Sequence, residues 1–194
     1  MPPMSSLEIR FHGRGGQGTV LAAKILAEIV LRSGRGQCLA IPEFGVERRG
    51  APVVAYARIS DKKIFVRSRI YEPQAVVLLD STLAAAPEIT RGLRPGGIFI
   101  INSDQSQALL AERWLDFRVI AVPARRIAVT HNLGPAASPV VNTAMCGALA
   151  AVFGLADEIC LEQAIRLAVP TQAQANVAAA REAYHFCLEQ YARA

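Results

Sequence analysis

Apolar and polar positions follow two rhythms along this chain, and its character changes near residue 123. Leu7–His12 reads as an apolar strand. From about Thr19 to Leu31 the period is helical. Leu21, Ile25 and Ile29 fall on a face suited to packing against a sheet, while Lys24, Glu28 and Arg32 form a charged stripe at i, i+4 spacing. Ser33-Gly34 predicts the end of that helix, and Gln37–Ile41 a second strand. Residues 42–52, PEFGVERRGAP, carry two prolines and two glycines and predict a loop. Val53–Ser60 alternates, Asp61-Lys62 reads as a turn, and Lys63–Ser68 alternates again, which predicts a β-hairpin. Ala75–Asp80 and Gly97–Ile101 read as buried strands with a helix over 82–92 between them, and Phe117–Val122 as one more strand.

Beyond residue 123 the pattern is helical. Arg125–Asn132 predicts a helix, and Ser138-Pro139 a helix start with serine as cap and proline in the first turn. Asn142–Phe153 is rich in alanine and glycine, which suits close helix packing, and Gly154 stops it. Asp157–Val169 is amphipathic and ends at Pro170, and Gln172–Tyr191 closes the chain. The pattern therefore predicts a three-layer α/β/α fold with a mostly parallel sheet, an inserted β-hairpin and a helical C-terminal part. One domain is expected over residues 1–194, with residues 1–6 flexible.

Composition narrows the chemistry. The chain has 194 residues, 52% hydrophobic and 19% charged, which suits a single substantial core. Its net charge is +5, but the basic residues sit in short clusters such as Arg48–Arg49, Lys62–Lys63, Arg67–Arg69 and Arg125–Arg126. Only Phe65 and Tyr71 lie near one of these clusters. Anionic cofactors or acidic partner subunits suit that pattern, and nucleic acid is not expected. The apolar run Ala144–Ala156 is too short to span a bilayer, and no membrane association is expected. Cys38, Cys146, Cys160 and Cys187 lack C-x-x-C spacing, so no metal or iron–sulfur site is assigned to this chain. They read as buried thiols of a cytoplasmic protein.

The strongest chemical signal is GRGGQG at residues 13–18. Gly13, Gly15 and Gly18 have G-x-G-x-x-G spacing between a strand and a helix, and Gly16 adds a fourth glycine. Such a turn offers backbone N–H groups and a helix end to a phosphate, or lets another backbone come very close. A tight turn with no ligand has the same sequence. Thr19 stands where a P-loop needs lysine, which excludes an ATPase of that kind. The arginine loop, with Arg48 and Arg49 side by side, is either a solvated surface loop or a contact surface.

GRGGQG, FGVERRGAPVVAYARISDKKI, HNLG and NTAMCGALAAVFG, in this order, resemble the gamma subunit of the 2-oxoacid:ferredoxin oxidoreductases over about residues 7–156. The 44–64 segment is the most specific part. The resemblance implies a complex that decarboxylates a 2-oxoacid on thiamine diphosphate and passes electrons through 4Fe-4S clusters to ferredoxin. Coenzyme A takes the acyl group. It implies alpha, beta and delta-type partner subunits that hold the thiamine and the clusters, and a gamma chain that helps form the coenzyme A side of the site. Gly13, Arg14, Gly15, Gly16, Gln17, Gly18, Arg48, Arg49 and Asn142 are the residues expected there. No catalytic residue is assigned to this chain, and the isolated chain is expected to be inactive. Arg49-Gly50-Ala51-Pro52 resembles the pyruvate and branched-chain types more than the glutarate type, and an arylglyoxylate-type acylating enzyme is also compatible.

A second reading is a free-standing Rossmann-type NAD(P)-binding dehydrogenase or regulator. Glu43, 25 residues after Gly18, would then hold the ribose hydroxyls, with Arg48 and Arg49 on a 2′-phosphate. His12, His131 and His185 have no catalytic partner identifiable by spacing.

Overall fold

The computed structural model describes residues 6–43 and 49–191. In chain order the elements are β1 (Leu7–Arg14), α1 (Thr19–Ser33), β2 (Gln37–Pro42), β3 (Pro52–Ser60), β4 (Ala75–Leu78), β5 (Ile98–Asn102), α2 (Gln107–Arg113), β6 (Arg118–Val122), α3 (Ala124–Thr130), α4 (Asn142–Val152), α5 (Glu158–Ala168) and α6 (Ala173–Tyr191). One mixed sheet of six strands runs in the order β2-β3-β1-β4-β5-β6. β1, β4, β5 and β6 are parallel neighbours, and β3 is antiparallel to both β1 and β2. The α/β fold with a mostly parallel sheet is as the sequence predicts.

The antiparallel insertion is present, but its partner differs from expectation. β3 pairs with β2 across the arginine loop, and Lys63–Ser68 forms no strand. β1 and β2 already occupy both edges of β3, so no edge is left for residues 63–68. Instead Arg58, on β3, donates through Nη1 to the carbonyls of Val66 (2.8 Å) and Ser68 (3.0 Å), which ties that segment down as irregular chain.

The helix expected over 82–92 is a short 3-10 turn, Ser81–Leu83, followed by further turns. Pro87 removes a backbone donor there. Arg10, buried on β1, collects the carbonyls that a helix would use, donating through Nη2 to Ile89 (3.0 Å) and Arg91 (2.6 Å). Gly92 has φ 76°, and a Cβ there would collide with the carbonyl oxygen of Tyr71.

The sheet separates two cores. Ile9, Phe11, Val77, Ile100 and Ile120 face α1, α4 and α6. Val76, Leu78, Phe99, Ile101 and Val119 face a thinner layer made of Ile89, Leu93, Leu110 and Trp114. Ile25 and Ile29 of α1 are fully buried as their spacing predicts, and Arg32 pairs with Glu28 at 2.7 Å on the outer side. Gly34 caps α1 in the left-handed region. α2 has no counterpart in the sequence reading.

Ser138-Pro139 does not start a helix. α4 begins at Asn142, after Val141 and with no side-chain cap. Ser138 N–H donates to Pro135 O (2.8 Å) and Val140 N–H to Leu133 O (2.9 Å), so the segment folds back on itself as a turn. α4 is buried on all sides from Asn142 to Ala150. Its Gly147 lets α6 approach so closely that a Cβ would strike the carbonyl of Ala180. None of the described helices is long and apolar enough to cross a membrane.

Candidate functional site

The strand order reverses at the carboxyl ends of β1 and β4. β1 leads through α1 toward the β2 side, and β4 lies on the other side. Open α/β sheets bind ligands at such a reversal. A cleft of about 490 Å³ opens there, walled by the glycine loop, the arginine loop, the turn after β4, the end of β5, the start of α3 and the turn before α4.

Each glycine of the loop has a separate task. Gly13 belongs to β1, opposite Val53, and a Cβ on it would strike Thr19 Oγ1. That hydroxyl is buried with no hydrogen-bond partner among the described residues. Gly15 bridges to Arg49: its N–H donates to Ala51 O (2.9 Å) and its carbonyl accepts from Gly50 N (3.0 Å). The close backbone approach anticipated for this loop is therefore made by the chain's own arginine loop. Gly16 (φ 98°) faces open space, and Gly18 (φ 77°) packs against the buried Asn142 amide. Asn142 Oδ1 accepts from Thr143 N at 2.8 Å.

Arg14 is held from several directions. Nη1 donates to Gly50 O (3.0 Å), Nη2 to Thr82 Oγ1 (3.0 Å), and Nε lies 3.3 Å from Asp80 Oδ2. Gln17 ties the same pair together, accepting from Arg14 N (2.8 Å) and donating to Asp80 Oδ2 (2.7 Å). Burial alone would raise the Asp80 pKa. Hydrogen bonds from the Thr82 side chain and backbone and from Gln17, with the Arg14 charge, outweigh it and hold the carboxyl below its ordinary value. Asp80 is thus an ionised anchor for arginine.

Arg49 and Arg125 also line the cleft. Arg125 N donates to Asn102 Oδ1 (2.9 Å), and Asn102 Nδ2 donates to Leu79 O (2.8 Å), so one amide ties the end of β4 to the start of α3. Arg48 lies outside the described residues. The sequence reading did not select Asp80, Thr82, Asn102 or Arg125. The available signal was position: Asp80 ends one run readable as a buried strand, and Asn102 directly follows another.

Other candidates are engaged elsewhere. Glu43 accepts from Tyr56 OH (2.8 Å) and pairs with Arg69 (3.0 Å). His12 accepts from Arg10 Nε at 2.9 Å, His131 lies 2.7 Å from Glu182, and His185 lies 2.8 Å from Glu158. All four cysteines are free thiols. Cys146 and Cys187 are buried, and Cys38 and Cys160 only partly so. Burial pushes Cys38 and Cys187 up to about 12 and raises Cys146, and a hydrogen bond to Asp157 raises Cys160, so none is a ready thiolate. Among the described residues no cluster of three or more His, Cys, Asp and Glu is placed to hold a metal.

Among the described residues, Arg14, Arg49 and Arg125 line the switch-point cleft of this α/β sheet, and the carboxylate of Asp80 is committed to holding Arg14, an arrangement suited to an anionic ligand. The Pyruvate ferredoxin/flavodoxin oxidoreductase family model matches residues 8–186, and the chain belongs to that family as a gamma-type subunit. It is 44% identical over 181 residues to the Pyruvate/ketoisovalerate oxidoreductases common subunit gamma of Pyrococcus furiosus, covering 92% of this chain and 95% of that one. Among solved structures it is similar to the pyruvate oxidoreductase subunit PORC of Thermotoga maritima, with TM-score 0.76, 33% identity, and 94% and 97% of the two chains covered. A 2-oxoglutarate:ferredoxin oxidoreductase from Magnetococcus marinus, solved with 2-oxoglutarate, coenzyme A and succinyl-CoA bound, matches at TM-score 0.70 and 17% identity. That match covers 98% of this chain and 32% of the other, so the same fold occurs there as part of a longer chain. The free-standing dehydrogenase reading has no support in these relationships, and Glu43 is committed to Tyr56 and Arg69.

Proposed function

We propose that this chain forms the coenzyme A side of the active site in a multisubunit 2-oxoacid:ferredoxin oxidoreductase of the pyruvate or branched-chain type, working in the reducing cytoplasm. Alpha, beta and delta-type partner subunits hold thiamine diphosphate and 4Fe-4S clusters, and ferredoxin or a similar carrier takes the electrons. Bound coenzyme A supplies the thiol that accepts the acyl group. The single observation that carries this reading is the convergence of Arg14, Arg49 and Arg125 on one switch-point cleft.

The donor set suits a ligand with several phosphates. Guanidinium groups recognise phosphate in a fixed planar geometry. Arg14 is oriented in advance by Gly50, Thr82 and Asp80, so little freedom is lost when an anion arrives. Arg49 is fixed through its backbone bridge to Gly15 while its side chain is exposed at the cleft. Gly16 contributes open, left-handed backbone beside Arg14, and Gly13, Gln17, Gly18 and Asn142 set the shape of the loop from behind. Arg48 stays a candidate from the sequence alone.

The test uses the assembled complex. Arg49→Gln and Arg125→Gln are each expected to raise the coenzyme A KM by about tenfold or more, as loss of a charge-assisted hydrogen bond implies. The 2-oxoacid KM should stay within about twofold, since a binding contact to one substrate is what is removed. Direct titration of the complex with coenzyme A should show the same loss. An unchanged coenzyme A affinity in both assembled variants would falsify the reading.

A further inference from the structure

The segment after β3 has features that the cleft does not use. It begins at the pole of the sheet away from the cleft, where Ile59 pairs with Leu7, and none of its residues lines the cleft. Residues 61–72, DKKIFVRSRIYE, are irregular, and all of them are exposed except Ile64 and Ile70. Exposure on a segment without secondary structure ordinarily goes with a loosely held backbone. Here the backbone is fastened. Arg58, 9% exposed, is gripped by Glu8 at 2.5 Å and donates to the carbonyls of Val66 and Ser68. Ile70, 2% exposed, is plugged into the protein. Gly92 presses so closely on the Tyr71 carbonyl that it has no room for a Cβ.

The side chains on this fastened backbone point outward. Phe65 is 77% exposed, Val66 56% and Tyr71 74%. The buried arginine fixes a segment that gives Ile70 to the core but leaves its larger aromatic side chains, Phe65 and Tyr71, facing solvent. Around these residues the charge is mainly cationic, although the segment opens on the exposed carboxylate of Asp61. Lys62, Lys63 and Arg67 make no ion pair with any described residue, and Lys63 Nζ sits 5.4 Å over the Phe65 ring. Arg69 is paired with Glu43, and Glu72 with Arg94. Exposed apolar and aromatic side chains interspersed with charges on a backbone held in place before contact match the composition of protein–protein interfaces.

We propose that the Phe65–Val66–Tyr71 surface docks another subunit of the same oxidoreductase through an apolar spot ringed by carboxylates. Charge selects this occupant. The cations Lys62, Lys63 and Arg67 outnumber the exposed carboxylate of Asp61, so a surface of opposite sign is attracted, and a second copy of a chain with net charge +5 is repelled. A nucleic acid would satisfy the cations, but it would leave Val66 and the apolar centre without a matching surface. The inference rests on the chain's being a gamma-type subunit and not on what the cleft binds.

The experiment uses the complex co-expressed with its own partner subunits. A photo-crosslinking phenylalanine replaces Phe65. Separately, the charges are reversed in Lys62→Glu/Lys63→Glu/Arg67→Glu, and the apolar centre is removed in Phe65→Ser/Tyr71→Ser. Thermal melting of each isolated chain checks that the fold is intact, as expected for exposed positions. The expected result is a crosslink to a different subunit at a peptide with an excess of Asp and Glu. Both substituted chains should then lose at least tenfold in affinity for the partner subunits, and the wild-type affinity should fall as salt rises. The coenzyme A KM of whatever complex still assembles should be unchanged, which separates this outcome from failure of the cleft reading. A crosslink only to a second copy of this chain, or co-purifying nucleic acid lost on charge reversal, would overturn the proposal. So would unaltered assembly of both folded variants, or a crosslink to a subunit peptide without acidic excess.

Discussion

Arg14 Nε and Asp80 Oδ2 face each other at 3.3 Å across the ends of neighbouring parallel strands, β1 and β4. Asp80 also accepts from Gln17 Nε2, Thr82 N and Thr82 Oγ1, so the carboxylate is saturated with donors and holds the guanidinium at the cleft mouth. A change there should alter geometry as well as charge.

Asp80→Asn keeps the size but turns one acceptor into a donor, facing either Gln17 and Arg14 together or Thr82. The expected result is a folded chain destabilised by about 1–2 kcal/mol, the scale for charged hydrogen bonds in a half-buried network. In the assembled complex the coenzyme A KM should rise about three- to tenfold while the oxoacid KM holds. An equal rise in both constants, or no rise in either, would show that Arg14 needs no anchor to do its work.

The buried pair Arg10 and His12 gives a pH dependence of stability. Arg10 donates through Nε to His12 Nε2, and burial, with the nearby Arg10 charge, lowers the His12 pKa to about 3. Between the unfolded value of 6.5 and about 3, the unfolded chain binds a proton that the native chain refuses. Stability therefore falls as pH falls through that window, by up to about 1.4 kcal/mol per pH unit, and this contribution levels off below it. His12→Gln offers an amide oxygen in place of Nε2 and removes the titration. Urea unfolding at several pH values between 7 and 4 should show a flatter acid limb for the variant. Parallel curves for the two chains would assign the acid sensitivity to other groups.

Much of the architecture was legible because buried parallel strands and amphipathic helices write their periods into the chain. Ala75–Leu78 and Phe99–Ile101 are buried on both faces and read as unbroken apolar runs, and Glu28–Arg32 reads at i, i+4. Two of the misreadings share a physical cause, the capture of a segment's carbonyls by an arginine side chain on a strand, whereas at Ser138-Pro139 backbone bonds close a turn instead. Lys63–Ser68 alternates as a strand does, yet Arg58 takes its carbonyls. Residues 82–92 look helical apart from Pro87, yet Arg10 takes their carbonyls from a different strand. The glycine loop was visible because its residues are consecutive. Asp80, Asn102 and Arg125 are scattered, and only the order of the strands brings them to Arg14.

The alanine and glycine content of residues 142–153 predicts close helix packing, and the structure makes α6 the partner, with its backbone directly against Gly147. Gly147→Ala puts a methyl group against the Ala180 carbonyl, where both partners are helix backbone and neither can turn aside. Overpacking of this kind costs about 1–3 kcal/mol. A lower Tm for the isolated chain is expected, with coenzyme A affinity unchanged in complexes that assemble. A Tm equal to wild type would mean that the two helices separate without cost.

The last prediction concerns what Asn142 does behind the glycine loop. Gly18 has φ 77°, and a Cβ there would run into Asn142 Nδ2, whose residue is 1% exposed. Gly18→Ala therefore carries two penalties, left-handed strain of about 1–3 kcal/mol and a clash with the amide. Asn142→Ala removes the clash but not the strain. The double variant should thus be less destabilised than the sum of the single ones, with a coupling of at least about 0.5 kcal/mol, as expected for residues in direct contact. Asn142→Ala alone separates support of the loop from contact with a ligand. If Asn142 only sets the loop from behind, stability falls while the coenzyme A KM of the assembled complex stays within about twofold. If the amide reaches the ligand, that KM climbs about tenfold or more, the scale of a lost buried hydrogen bond, and Asn142 belongs with the arginines. Additive single effects with an unchanged KM would remove Asn142 from the site altogether.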